Sequence, residues 1–125
     1  MESHAVMTLP PEPRSVGAAR EFVRLACVAA GFGEQVASDA LLLTSELVTN
    51  AVVHGRSELC IEVAVEGARL HVAVSDDNSR LPVLVPQDSG ALDGRGLVLV
   101  RALACEWGVH LRAGSKAVWF ELTGD

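Results

Sequence analysis

Glu46, Asn50 and His54 recur at every fourth residue in the stretch Leu41 to Gly55, which reads LLLTSELVTNAVVHG. On a helix turning about 100° per residue, the three fall within about 80° of one another on one stripe. Leu43 and Leu47 flank that stripe on one side and Val53 on the other, while Leu41, Val48, Ala51 and Val52 cover much of the rest. Glu46 is the sole charge between Ala40 and Gly55. A carboxylate on so apolar a helix must face water, a partner or a ligand, because a dry, unpaired charge is too costly. From this helix alone, a ligand site stands level with a wet groove or a structural salt bridge. A second acid, Asp76, ends a run in which Leu70, Val72 and Val74 alternate, so strand parity aims it at the core side as well. Gly94-Arg95-Gly96 then precedes an apolar run that starts at Leu97. Glycines at a helix start let a ligand approach the backbone, and the free N–H groups there favour an anion such as phosphate.

Positioning these groups takes a helix layer set against a sheet. His4 to Leu9 alternates weakly and reads as a short first strand, ended by Pro10, Pro11 and Pro13. Ser15 reads as the N-cap of a helix over Val16 to Ala30, with Phe22, Val23, Leu25, Ala26 and Ala29 on its buried side. Gly31 and Gly33 punctuate, and the central helix follows from Glu34 to His54 with Gly55 as its left-handed C′ residue. His54 in the last turn suits the negative end of the helix dipole, and that reading outranks a ligand role for it.

From Glu58 the period switches to two. Leu59, Ile61, Val63 and Val65 face one way, and Cys60, Glu62, Ala64 and Glu66 the other. Gly67-Ala68 makes a two-residue hairpin turn into the strand that ends at Asp76. Asp77 to Asp93 holds Pro82, Pro86 and Gly90, and so long a connection in a small domain reads as a lid or binding loop. A third helix spans Leu97 to Ala104, and a second hairpin pairs Val109 to Arg112 with Lys116 to Leu122. The expected fold is α+β: a two-layer sandwich with three helices on one face of a mixed, mostly antiparallel sheet.

At 125 residues the chain makes one domain large enough for a real core. The start, MESHAVMTLPPEPR, lacks the basic and apolar parts of a signal peptide. No uncharged apolar run approaches the ~20 residues that cross a bilayer, so no membrane role is expected. Cys27, Cys60 and Cys105 are widely spaced among apolar neighbours, and they read as small core residues in a reducing, cytoplasmic compartment. A formal charge of −6 argues against nucleic acid as a direct ligand.

Glu46, Asn50 and His54 in SELVTNAVVHG, Asp76 in VSDDNSRLP, GRGLVLVRALACEWG and the terminal KAVWFEL stand in a fixed order. In that order they resemble the Bergerat-fold (GHKL) ATPases, the superfamily of gyrase B, histidine kinases and MutL. The likeness is greatest to the anti-sigma-factor serine kinases in their actinobacterial form, and it runs from Ser15 to Leu122. What the resemblance implies is an ATP-binding regulator of transcription, a Mg-ATP-dependent serine/threonine kinase acting on an anti-anti-sigma partner with a STAS domain. Asn50 would offer its amide oxygen to Mg²⁺, and Glu46 would be the general base. Asp76 would accept a hydrogen bond from the adenine amino group. Gly94, Arg95, Gly96 and Leu97 would hold the phosphates, with residues 77–93 as the ATP lid, although a solvent-facing Arg95 is an equal alternative. Arg20 matches the family's partner-facing arginine, with sigma factor as a further partner and a homodimer as the usual assembly.

Three positions depart from the family pattern. Asn78 and Arg80 replace glycines after the strand-end acid, and Val98 replaces the last glycine of Gly-x-Gly-Leu-Gly. They motivate an alternative in which the chain is a catalytically weak, nucleotide-gated module that captures a protein. A two-component histidine kinase is disfavoured, because there is no room for a dimerising helix pair that carries a phosphoacceptor histidine.

Overall fold

A computed structural model of the chain describes residues 2–54, 57–76, 99–112 and 115–124. Its elements are β1 (Glu2–Leu9), α1 (Arg14–Ala30), α2 (Glu34–His54), β2 (Leu59–Glu66), β3 (Arg69–Asp76), β4 (Glu106–Arg112) and β5 (Ser115–Thr123). Residues 99–103 are helical too and supply the end of the expected third helix. The strands form one sheet in the order β1-β2-β3-β5-β4. Every pairing among the described strands is antiparallel, where the sequence suggested a mixed sheet with mostly antiparallel pairs.

The two-residue period of the sequence is the two-sidedness of this sheet. Ile61 pairs with Val74, Val63 with Val72 and Val65 with Leu70, and all six are buried on the helix-facing side. β5 continues the layer through Val118, Phe120 and Leu122. The turn between β2 and β3 is Gly67-Ala68, and Gly67 holds a φ of 60°, a left-handed conformation that glycine adopts without penalty.

α2 lies chiefly over β3, and α1 packs along α2 and over β2. Ala40, Leu43, Leu47, Val48 and Ala51 of α2 are buried in this layer. Full burial of one leucine is worth about 1.5–3 kcal/mol, so this row alone fixes the helix on the sheet. By length and composition Glu34–Val53 could also cross a membrane, but these burials account for its apolar character as that of a core helix.

α1 departs from its sequence reading in two ways. Its buried residues are Ser15, Ala19, Val23 and Cys27, a strict four-residue row, while Leu25 and Ala29 are exposed. Ala19 and Cys27 are small, so the row that meets α2 is the one that lets two helices approach closely rather than the bulkiest one. Ser15 is not the N-cap. Pro13 takes that place without a side-chain cap, and the Ser15 hydroxyl donates to the Pro10 carbonyl at 2.6 Å. Prolines around the helix start have no N–H to satisfy, so little is left for a capping hydroxyl to do. At the other end Gly31 has a φ of 79°, and the Phe32 N–H reaches back to the Cys27 carbonyl at 3.0 Å.

The cysteines split as well. Cys27 is buried, and burial pushes its thiol up from the ordinary value. Cys60 is half-buried, and Cys105 is exposed rather than a core residue, its thiol directed at the Glu121 carbonyl, 3.2 Å away.

Candidate functional site

Glu46 and Asn50 stand on α2 one turn apart, about 6 Å along the helix axis. Both are half-buried, between the fully buried Leu43, Leu47 and Val48 and the exposed Val53. They therefore sit on the shoulder of the helix, where the apolar layer gives way to solvent. That is where a carboxylate and a carboxamide can keep polar company without crossing the core.

Asp76 ends β3, the strand that α2 crosses most closely, and it lies on the helix-facing side as parity requires. Only 6 % of it is exposed, which makes it one of three buried polar or charged side chains among the described residues. The other two are Ser15 and Thr44. Ser15 is satisfied by its bond to Pro10, whereas the Thr44 hydroxyl has no partner among the described residues. Thr44 precedes Glu46 by two positions, on the face of α2 that meets the sheet.

Two residues near this site were not singled out by their sequence context. Lys116, the chain's one lysine, stands directly across from Asp76 in the β3–β5 register. Facing residues in such a pair have Cβ atoms about 5 Å apart, so a cation is stationed beside the strand-end acid. Ser45, next to Glu46, is the other. Its hydroxyl donates to the Leu41 carbonyl at 2.8 Å and accepts from the Arg20 guanidinium at 2.6 Å. Only a pairing of helices, invisible in a linear pattern, brings Arg20 there.

Arg20 itself is exposed on α1, and its guanidinium is turned onto α2. It links α1 to the residue adjacent to Glu46. Gly94, Arg95, Gly96 and Leu97 lie outside the described residues, as do the lid, Asn78, Arg80, Val98 and Gly55. α2 ends at His54, in agreement with the sequence boundary.

The donor set suits a hard cation that arrives with its own ligands. No group of three or more His, Cys, Asp or Glu among the described residues could hold a metal ion. Asn50 is a single oxygen donor, which is enough for Mg²⁺ when phosphates and water complete the octahedron.

Residues 9–122 match the family described as the histidine kinase-like ATPase domain. Over 56 residues the chain is 43% identical to an uncharacterised protein of Streptomyces coelicolor, a span that covers 43% of this chain and 53% of that protein. The chain thus spans about half the length of that relative. Among solved structures, the RsbU and RsbW domains of a Mycobacterium tuberculosis protein superpose with a TM-score of 0.78 at 20% identity. That match covers 98% of this chain and 32% of the other. The histidine kinase domain of a blue-light activated kinase from Erythrobacter litoralis gives a TM-score of 0.56 at 20% identity, over 91% of this chain and 61% of that one. At such identities the two structures establish the shared fold.

Proposed function

We propose, on the premise that this chain belongs to the histidine kinase-like ATPase domain family, that it binds Mg-ATP beside α2 and transfers the terminal phosphate to a protein hydroxyl. The observation that carries the reading is the placement of Glu46 and Asn50 on the shoulder of α2, over the strand that ends in buried Asp76. Asn50 would give its amide oxygen to Mg²⁺, which when bound draws charge from the phosphates. Asp76 would accept from the adenine amino group, a contact that guanine cannot offer. Glu46 would take the proton of the attacking serine or threonine hydroxyl as the new O–P bond forms and ADP departs with the electrons of the broken one. A positioned base of this kind is worth about 10²–10⁴ in rate. Gly94, Arg95, Gly96 and Leu97 would close on the phosphates.

The acceptor we assign is an anti-anti-sigma protein with a STAS domain, with sigma factor as a second partner, Arg20 at the contact, a homodimeric assembly and a cytoplasmic setting. The fold shared with a chain that carries RsbU and RsbW domains supports partner switching as the context. A second reading, a nucleotide-gated capture module with little catalysis, is favoured by Asn78, Arg80 and Val98 in the places of glycines.

Calorimetry with Mg-ATP, followed by transfer of labelled phosphate to a candidate STAS protein, separates the two readings. The kinase reading expects binding, transfer, and a loss of about 10²–10⁴ in rate for Glu46→Gln with affinity retained. Transfer that survives Glu46→Gln unchanged would remove the base. Absence of heat at millimolar nucleotide would remove ATP altogether.

A further inference from the structure

The side of the sheet turned away from the helices carries an unbalanced charge. Glu2, Glu62 and Glu66 of β1 and β2, Glu106 of β4 and Glu121 of β5 all project from it by strand parity, and Glu58 stands at its rim. Arg69 of β3 is a permanent cation on the same face. It is already engaged with Glu121 and with Glu106, the latter at 3.5 Å. Among the described residues, carboxylates therefore predominate on this surface.

That surface is also shaped. A groove of about 280 Å³ crosses it, floored by the small side chains of Cys60, Ser75 and Ala117, which are neighbours in the sheet register. Trp119 forms one wall, with His71 stacked on it at 5.3 Å and His110 at 6.0 Å between ring centroids. The indole lies across Gly108, where even a Cβ would come within 2.7 Å of it. The indole N–H is buried and has no hydrogen-bond partner among the described residues. A buried donor left unmatched is rare in folded proteins.

We propose that this groove docks an extended, arginine-rich segment of a protein partner. Guanidinium groups match the Glu58 and Glu62 carboxylates in charge and in forked geometry, and they stack on an indole face. A second copy of the chain is a poor occupant, since two such faces would set glutamates against glutamates. The groove opens on the opposite side of the sheet from α2, although Asp76 belongs to its lining too, so binding is measured without nucleotide and is read apart from any ATP signal.

The test is fluorescence anisotropy of the full chain with a labelled peptide of about eight alternating Arg and Ala residues, the length of a strand. Binding is expected for this peptide and none for its Glu-for-Arg counterpart. Glu58→Gln combined with Glu62→Gln should weaken it about tenfold, while Glu12→Gln combined with Glu21→Gln on the helix side should leave it unchanged. Trp119→Ala removes the stacking face and should weaken binding about 2- to 10-fold. Each variant is checked for an unaltered urea midpoint, and Glu58→Gln alone replaces the double variant if that one is unstable. Absence of peptide binding, equal weakening by the helix-side pair, or wild-type self-association in sedimentation that the Glu58/Glu62 variant abolishes would each overturn the proposal.

Discussion

Phe120 and Trp119 are neighbours in β5 and point to opposite sides of one sheet. Phe120 has no exposed surface, pairs with Val72 across the β3–β5 register and belongs to the buried core that includes Leu43 and Leu47 of α2. Trp119 lies half-buried across Gly108, between two imidazoles and among carboxylates. The helix-facing side is held by apolar area, which is non-directional and forgiving of small shifts. The open side is held by specific pairs: His4 with Glu62, His71 with Glu121, Arg69 with Glu121 and Glu106. Exposed pairs of this sort contribute little to stability, so their concentration on one face is better read as surface chemistry than as structural reinforcement.

The contrast can be broken most forcefully at Phe120. Phe120→Ala should lower unfolding free energy by about 3–5 kcal/mol, and Trp119→Ala by less than half of that, both read from urea denaturation. Comparable losses would mean that the open face is as structural as the covered one. Gly108→Ala comes next. It drives a methyl into the indole and should cost about 1–3 kcal/mol, a penalty that Trp119→Ala in the same chain should relieve. A penalty that persists without the indole would locate its cause in the backbone of β4 instead.

The smallest effect concerns acid. Burial pushes the Glu121 carboxyl up, but hydrogen bonds from His71 and Arg69, with their charges, outweigh it and leave it below the ordinary carboxylate value. A depressed carboxylate adds stability at pH values above its unfolded pKa, about 4.3, and loses it as pH falls through the folded value. The stability gap between wild type and Glu121→Gln should therefore narrow steadily below about pH 4 in chemical denaturation. A gap independent of pH would show that the ion pair with Arg69 does not reach the folding equilibrium.

Much of this was legible in the chain itself. The alternation of Leu59 to Val65 and Leu70 to Val74 has a single solution in which one face is buried, so the direction of Asp76 followed from counting. The helix carrying Glu46 and Asn50 was equally plain, because few residues but apolar ones surround the pair. α1 was not, since Leu25 and Val28 are larger than Ala19 and Cys27 and yet stay outside. Which apolar stripe turns inward is settled by how near α2 can come, and one helix viewed alone holds no record of its neighbour. Arg20 and Ser45 meet for the same reason. Lys116 faces Asp76 across a sheet register that links residues far apart in the chain, and no local pattern encodes such a pairing.

β5 lies between β3 and β4, although β4 precedes it in the chain. Among the described strands, β4 is stitched to β5 and to nothing else. β4 therefore occupies the outer margin of the sheet, and β5 returns inward from it to pair with β3. β4 reaches the rest of the described sheet through β5 alone, so residues 106–112 are anchored only as firmly as β5 is anchored to β3.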